Sequence, residues 1–325
     1  MAPSQKPGKT RTRKILSWII AALVFQFILM NISAGLYAYK LTHLKTPTAD
    51  TWTQPAAGNI FARTWRLFTG PTMYKQSSND SPRFACSTVI IRTPDSVSLE
   101  AWYGKADSGS RGTVILFHGL MGNRGWVIHE AEAFRNLGFN VLLVDGRNHG
   151  NSEGDVTTVG FRESGDVKAI FDWVKQAGEE HVYMWGTSMG AVEVLKSVGE
   201  YNLPVDGIIA ESPFLSLQSH LKGRARVLDF PEEPFGFLTS FWIGAENGFS
   251  GWGFNLAKYG EKVHCPVLLQ YGRKDPMVSA KETGLIYAAL AAEKKKLVIY
   301  ESAAHESFLK HDPATWLREV SAFMQ

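Results

Sequence analysis

A chain of 325 residues, 45% of them hydrophobic, with a net charge of +3, has room for one large α/β domain plus additional segments. Much of its basic excess sits in Lys6, Lys9, Arg11, Arg13 and Lys14. That leaves no basic face on the folded part, so nothing points to nucleic acid. The two cysteines, Cys86 and Cys265, follow no metal or redox spacing. A disulfide between them stays open for an exported domain, although they open well-separated strands and the pairing geometry is demanding.

Residues 1–14 form a basic start, and residues 15–39 then carry no charge. About 20 helical residues cross a bilayer core, so 15–39 is expected as a transmembrane helix. Trp18 lies near one end, and Tyr37 and Tyr39 near the other, where an aromatic belt forms. The excess of basic residues before the segment places the N-terminus in the cytoplasm and everything after Lys40 on the far side. The rival reading is a secreted protein whose signal peptide is cut near Ser33-Ala34-Gly35. The apolar stretch is long for that. A buried core helix would show a polar face over several turns, and none is seen.

Residues 40–84 read as linker and membrane-proximal segment. Within them 42–50 is a polar tether with Pro47, and 60–68 is an amphipathic helix ended by Gly70-Pro71. It can lie on a membrane or pack on the domain. Residues 88–92 and 98–103 flank Pro94-Asp95-Ser96 and predict a hairpin.

From there strands and helices alternate. Apolar runs predict strands at 113–117, 140–144, 182–185, 205–210, 267–270 and 297–300. Helical patterns fall at 125–137, 163–176, 191–197 and 280–291. This alternation implies right-handed crossovers and a mostly parallel sheet covered on both faces, the core of a domain over 85–325.

Four stretches of this core carry chemistry. Gly186-Thr187-Ser188-Met189-Gly190 fits a nucleophile elbow, a strained strand-to-helix turn that lifts a serine hydroxyl clear of the sheet. The flanking glycines avoid clashes, and the following helix start favours negative charge on a substrate oxygen. His118-Gly119-Leu120-Met121-Gly122 follows the third strand, so the N–H groups of Leu120 and Met189 are the candidate oxyanion hole. His118 precedes the serine and is read as shaping the loop. Asp275, after the penultimate strand, would orient a histidine, with Glu211 as the fallback acid. His305, after the last strand, would take the serine proton and return it to the leaving group. The order Ser188, Asp275, His305 is that of elbow enzymes, each at a strand end.

Asp145-Gly146-Arg147-Asn148-His149-Gly150-Asn151-Ser152 resembles the Asp-x-Arg-x-x-Gly-x-Ser loop of the α/β-hydrolase fold, and residues 85–325 resemble that fold as a whole. In the family this loop is largely structural, so neither Asp145 nor His149 is expected in catalysis. The chain is most similar to membrane-anchored serine hydrolases of the serine aminopeptidase-like and esterase-like branches. A serine at the elbow separates it from relatives that use aspartate or cysteine. The resemblance makes the insertion at about 214–264 a helical cap. Its Phe230, Phe235, Phe237, Phe241, Trp242, Phe249, Trp252 and Phe254 would line an apolar acyl pocket or pack the cap onto the domain.

The expected activity is hydrolysis of an ester, thioester or amide of a small or lipid-like acyl substrate through an acyl-enzyme on Ser188. An acyltransferase with the same residues, or a non-catalytic anchored binding protein on this scaffold, are the alternatives. No metal or organic cofactor is implied.

Overall fold

A computed structural model describes residues 9–47, 60–77 and 80–325. Lys6 and residues 48–50 of the expected tether lie outside the described residues.

The sheet starts with the hairpin. β1 (Cys86–Arg92) and β2 (Ser98–Gly104) are antiparallel, with Cys86 opposite Gly104 and Arg92 opposite Ser98. Next come β3 (Thr113–Phe117), β4 (Asn140–Val144), β5 (Val182–Thr187), β6 (Gly207–Glu211), β7 (Val267–Gly272) and β8 (Lys295–Tyr300). Among the described residues these eight strands form one sheet in the order β1-β2-β4-β3-β5-β6-β7-β8. From β4 to β8 every pairing is parallel. Every residue of β3, β4, β6 and β7 is buried, which is why those strands read as unbroken apolar runs rather than alternating ones. Each fully buried Val, Leu or Ile there contributes about 1.5–3 kcal/mol of burial free energy.

The sheet order also separates the cysteines. Cys86 is on β1, whereas Cys265 leads into β7, six strands away. At about 4.8 Å per strand the gap is about 29 Å, far beyond disulfide reach. Both are free thiols.

α1 (Lys9–Thr42) and α2 (Ile60–Thr69) precede the sheet. The crossovers carry α3 (Ile128–Asn136), α4 (Glu163–Gln176) and α5 (Met189–Tyr201). The cap is α6 (Leu217–Val227), α7 (Glu232–Asn247) and α8 (Leu256–Gly260). α9 (Ala280–Ala289), α10 (Phe308–His311) and α11 (Pro313–Phe323) complete the chain.

Several boundaries differ from the expected ones. The helix at 125–137 divides into a 3-10 turn, Arg124–Val127, and α3, because the Asn123 side chain caps the turn by accepting from Gly125 N–H. α5 runs to Tyr201, one turn beyond the pattern read. β6 starts at Gly207 because Val205 N–H is committed to Leu203 and Asp206 caps Val182.

α1 is about 51 Å long at 1.5 Å per residue. By length and composition it can cross a membrane. The uncharged stretch has two fates. Large apolar side chains from Ile15 to Ile32 are exposed. Ala34, Tyr37, Ala38 and Leu41 are buried in the domain. Tyr37 is therefore no belt residue: its ring meets Phe235 of α7 edge-on at 4.9 Å. Gly35 lies under Trp242, so a side chain there would touch the indole at 3.5 Å. α2 packs on α1 through its C-terminal turn, where Ser33 Oγ donates to Phe68 and Lys40 Nζ bonds Thr69 Oγ1 at 2.7 Å. Its Phe61 and Trp65 face outward.

Candidate active site

β5 passes into α5 at Ser188, whose backbone sits at φ 54°, ψ −116°. Such a conformation costs a serine on the order of 1–3 kcal/mol and persists only where its surroundings impose it. The surroundings are two glycines. A Cβ on Gly190 would lie 2.4 Å from the Phe117 carbonyl oxygen, and one on Gly186 2.5 Å from that of Gly190. Only bare backbone lets α5 begin this close to the end of β3.

The C-terminal ends of β5, β7 and β8 bring three side chains into line. His305 Nε2 is 3.0 Å from Ser188 Oγ, and His305 Nδ1 is 2.7 Å from Asp275 Oδ2. Asp275 Oδ1 accepts from the N–H groups of Met277 and Val278 at 2.7 and 2.9 Å. The carboxylate is thus fixed from one side and receives the imidazole N–H on the other. This leaves His305 Nε2 as an acceptor for the serine proton. Glu211, the fallback acid, makes no bond to His305. Its Oε1 accepts from the indoles of Trp185 and Trp316 at 3.0 and 2.7 Å, beneath the site.

The Gly119-Leu120 loop stands over the serine: a Cβ on Gly119 would lie 3.3 Å from Ser188 Cβ. Met189 opens α5, so its N–H is among the first four of the helix, which have no intrahelical acceptor. Two buried histidines brace the loop. His118 Nδ1 donates to the Gly119 carbonyl at 2.8 Å, and its Nε2 accepts from Gly146 N–H at 3.0 Å. His149 Nδ1 donates to Arg147 at 2.8 Å, and its Nε2 accepts from Met121 N–H at 3.0 Å. These bonds need neutral rings. Burial lowers both pKa values, that of His149 to about 3. His149 therefore holds the loop that carries Leu120. No spacing in the sequence links a histidine at 149 to the backbone of residue 121. Asp145 is spent on structure, accepting from Arg124 N–H at 2.6 Å and from Asn151 N–H at 2.9 Å.

A cleft of about 560 Å³ opens above Ser188 and His305, with Leu120, Trp126, Val127 and Met277 among its apolar walls. None of the eight cap aromatics lines it. Those side chains turn toward one another, toward α1, onto the domain or outward, as in the Phe237–Trp252 stack at 4.4 Å within the cap and the Phe161–Phe249 stack at 4.1 Å onto the domain. The cap instead supplies His220 and Arg224 from α6. Arg224 has no carboxylate partner among the described residues; its Nε donates to Tyr37 Oη at 3.3 Å. No cluster of His, Cys, Asp and Glu among the described residues has metal-binding geometry.

Burial, reinforced by Glu130, pushes the Glu211 carboxyl up to about 8. Native Glu211 then keeps a proton that the unfolded chain loses near pH 4.5. Its stabilisation is complete below that value and is lost as pH rises toward 8. Glu211→Gln, which keeps an acceptor for both indoles, should flatten the fall of Tm between pH 5 and pH 8. Parallel Tm–pH curves for the two proteins would show that Glu211 is not the titrating group.

Residues 108–234 match the serine aminopeptidase S33 family. The lysophosphatidylserine lipase ABHD12 of Macaca fascicularis is 28% identical over 205 residues, 59% of this chain and 48% of that protein. The chain thus spans about half the length of the curated lipases it matches. The uncharacterized protein YqkD of Bacillus subtilis is 26% identical over 226 residues, covering 68% of this chain and 74% of its own. Among solved structures, the Pyrococcus furiosus esterase Pf2001 superposes with a TM-score of 0.66 at 28% identity, over 77% of this chain and 95% of that one.

Proposed function

We propose that this chain, a member of the α/β-hydrolase superfamily, is a serine hydrolase of ester substrates that acts through an acyl-enzyme on Ser188 while α1 anchors it in a membrane. The observation that carries this reading is the unbroken chain of contacts Ser188–His305–Asp275 on a strained elbow. Ser188 Oγ attacks the ester carbonyl while His305 Nε2 takes its proton. Asp275 holds the imidazolium, and the N–H groups of Leu120 and Met189 receive the oxyanion. Collapse of the tetrahedral intermediate breaks the ester C–O bond, and His305 returns the proton to the departing alkoxide. Water then attacks the acyl-enzyme by the same relay.

The substrate reading follows from the cleft. Arg224 is a cation with no acidic partner among the described residues, in a cleft whose lining combines Leu120, Trp126, Val127 and Met277 with Lys310 and the acidic Asp80, Glu130 and Glu306. The apolar wall and the Arg224 cation suit an amphiphile with an anionic headgroup. The lysophosphatidylserine lipases among the relatives support a monoacyl phospholipid. The basic residues Arg11, Arg13 and Lys14 before the apolar span support a cytoplasmic N-terminus with the hydrolase domain on the far side.

A charge-assisted hydrogen bond to the headgroup is worth roughly 1.5–3 kcal/mol, so an anionic lysophospholipid should exceed a neutral-headgroup ester of the same chain in kcat/KM by about tenfold or more. Fatty-acid release from detergent-solubilised full chain measures this. Equal rates would remove the headgroup assignment. No release from any ester would remove the hydrolase assignment.

A further inference from the structure

A second cavity lies away from the catalytic cleft. It is an apolar groove of about 370 Å³ between α1, the end of α2 and the start of α7. Leu29, Met30 and Ala34 of α1, Phe68 of α2, and Phe230 and Phe235 of the cap line it. Its level along α1 decides what fills it. If the hydrocarbon layer begins at Ile15, just after Arg13 and Lys14, 20 residues of helix carry it to Ala34. Gln26, Leu29 and Met30 stand inside that interval, and the cap residues of the groove stand beside them. Gln26 lies about 9 Å before Ile32, the last exposed large apolar residue of the span.

Two polar side chains at this level, Asn31 and Ser33, are arranged for such a place. Asn31 Oδ1 accepts from Trp242 Nε1 at 3.2 Å, and Asn31 Nδ2 donates to Phe27 at 2.9 Å. Ser33 Oγ donates to the Phe68 carbonyl. Each is turned onto protein rather than left facing a medium without hydrogen bonds. Around the groove the surface is aromatic: Phe61 is 80% exposed and Trp65 61%, and Phe230, Phe237, Phe241 and Trp252 are also exposed. Contiguous exposed apolar surface of this kind marks an interaction face. Here it is continuous with the exposed apolar side of α1.

We propose that this groove is an acyl-chain site for a bilayer lipid, so that α2 and the start of α7 rest within the outer leaflet rather than above it. The inference rests on the membrane-spanning reading of α1. It also accounts for the exposed cap aromatics Phe230, Phe237, Phe241 and Trp252. Interfacial helices bury their apolar face about 5–10 Å into the headgroup and acyl boundary, and the groove residues Leu29 and Met30 lie about 6–8 Å inside Ala34 along α1. One aromatic layer separates groove and cleft: Phe235 lines the groove, Tyr37 packs on it, and the Tyr37 hydroxyl meets Arg224, which lines the cleft.

The test uses the full chain with Cys86 and Cys265 replaced by serine and one new cysteine carrying an environment-sensitive fluorophore. The positions are Phe230→Cys at the groove, Ile28→Cys in the span and Lys294→Cys at the far end of the domain. The proteins are reconstituted in phosphatidylcholine vesicles containing a lipid spin-labelled on its acyl chain. Labels at 28 and 230 should both be quenched by about twofold or more, while the label at 294 stays unquenched. Quenching at 28 without quenching at 230 would overturn the groove site and leave the anchor standing. No quenching at 28 would overturn the anchor, and the groove site with it. If the Phe230→Cys protein no longer reacts with a fluorophosphonate at Ser188, Phe61→Cys on α2 reports the same face with the same two outcomes.

Discussion

Ser188→Ala is expected to lower ester turnover by about 10⁶-fold, the scale found when the nucleophile of a comparable relay is removed. It should also abolish labelling by a fluorophosphonate. The loss should be chemical rather than structural. The Ser188 side chain caps no helical N–H, and the strain of its φ of 54° belongs to the backbone and is carried equally by alanine. Tm should therefore change little, whereas Ser188→Gly, which relieves the strain, should raise it. Both variants keep the N–H groups of Leu120 and Met189. Residual rate above that in water then measures the oxyanion site alone. Labelling that persists in Ser188→Ala would place the nucleophile elsewhere.

The parts of this molecule legible in the sequence are those encoded locally. Buried parallel strands need unbroken apolar runs, so 113–117 and 140–144 coincide with β3 and β4. The elbow needs glycine at two fixed positions because a Cβ on Gly186 or Gly190 would lie 2.5 or 2.4 Å from backbone atoms. Asp275 and His305 are found by position, since parallel strands deliver their C-terminal ends to one edge. What could not be read is the direction of side chains across distant segments. The split of the apolar N-terminal stretch at Ala34 depends on α7, some 200 residues later. The brace from His149 to Met121 depends on two loops meeting over the same strand ends. The cap aromatics are visible as composition, but composition does not say whether a ring faces the cleft, α1 or the outside. A carboxylate at a strand end also looks the same whether it meets a histidine, as Asp275 does, or two indoles, as Glu211 does.

Asp275→Asn tests that last distinction, with an expected fall in kcat of about 10⁴-fold. The reason lies in which atoms can donate. Asp275 accepts on both oxygens: from the Met277 and Val278 N–H groups on one, and from His305 Nδ1 on the other. An asparagine has one acceptor and one donor end. If its oxygen stays with the two backbone N–H groups, its NH₂ faces His305 Nδ1. The ring must then carry its proton on Nε2, where it cannot receive one from Ser188. If the amide turns over, its NH₂ opposes two N–H donors, leaving them unpaired at a cost of about 1–3 kcal/mol each. The first arrangement is cheaper, so the protein should fold and bind ester with KM little changed while kcat collapses. Glu211→Gln, by contrast, should keep kcat within about tenfold of the wild type, because Glu211 acts on His305 through no hydrogen bond and its removal deletes no member of the relay. The reverse outcome, an active Asp275→Asn and an inactive Glu211→Gln of normal Tm, would transfer the acid role to Glu211. Such a result would require His305 to move off the carboxylate it now meets at 2.7 Å.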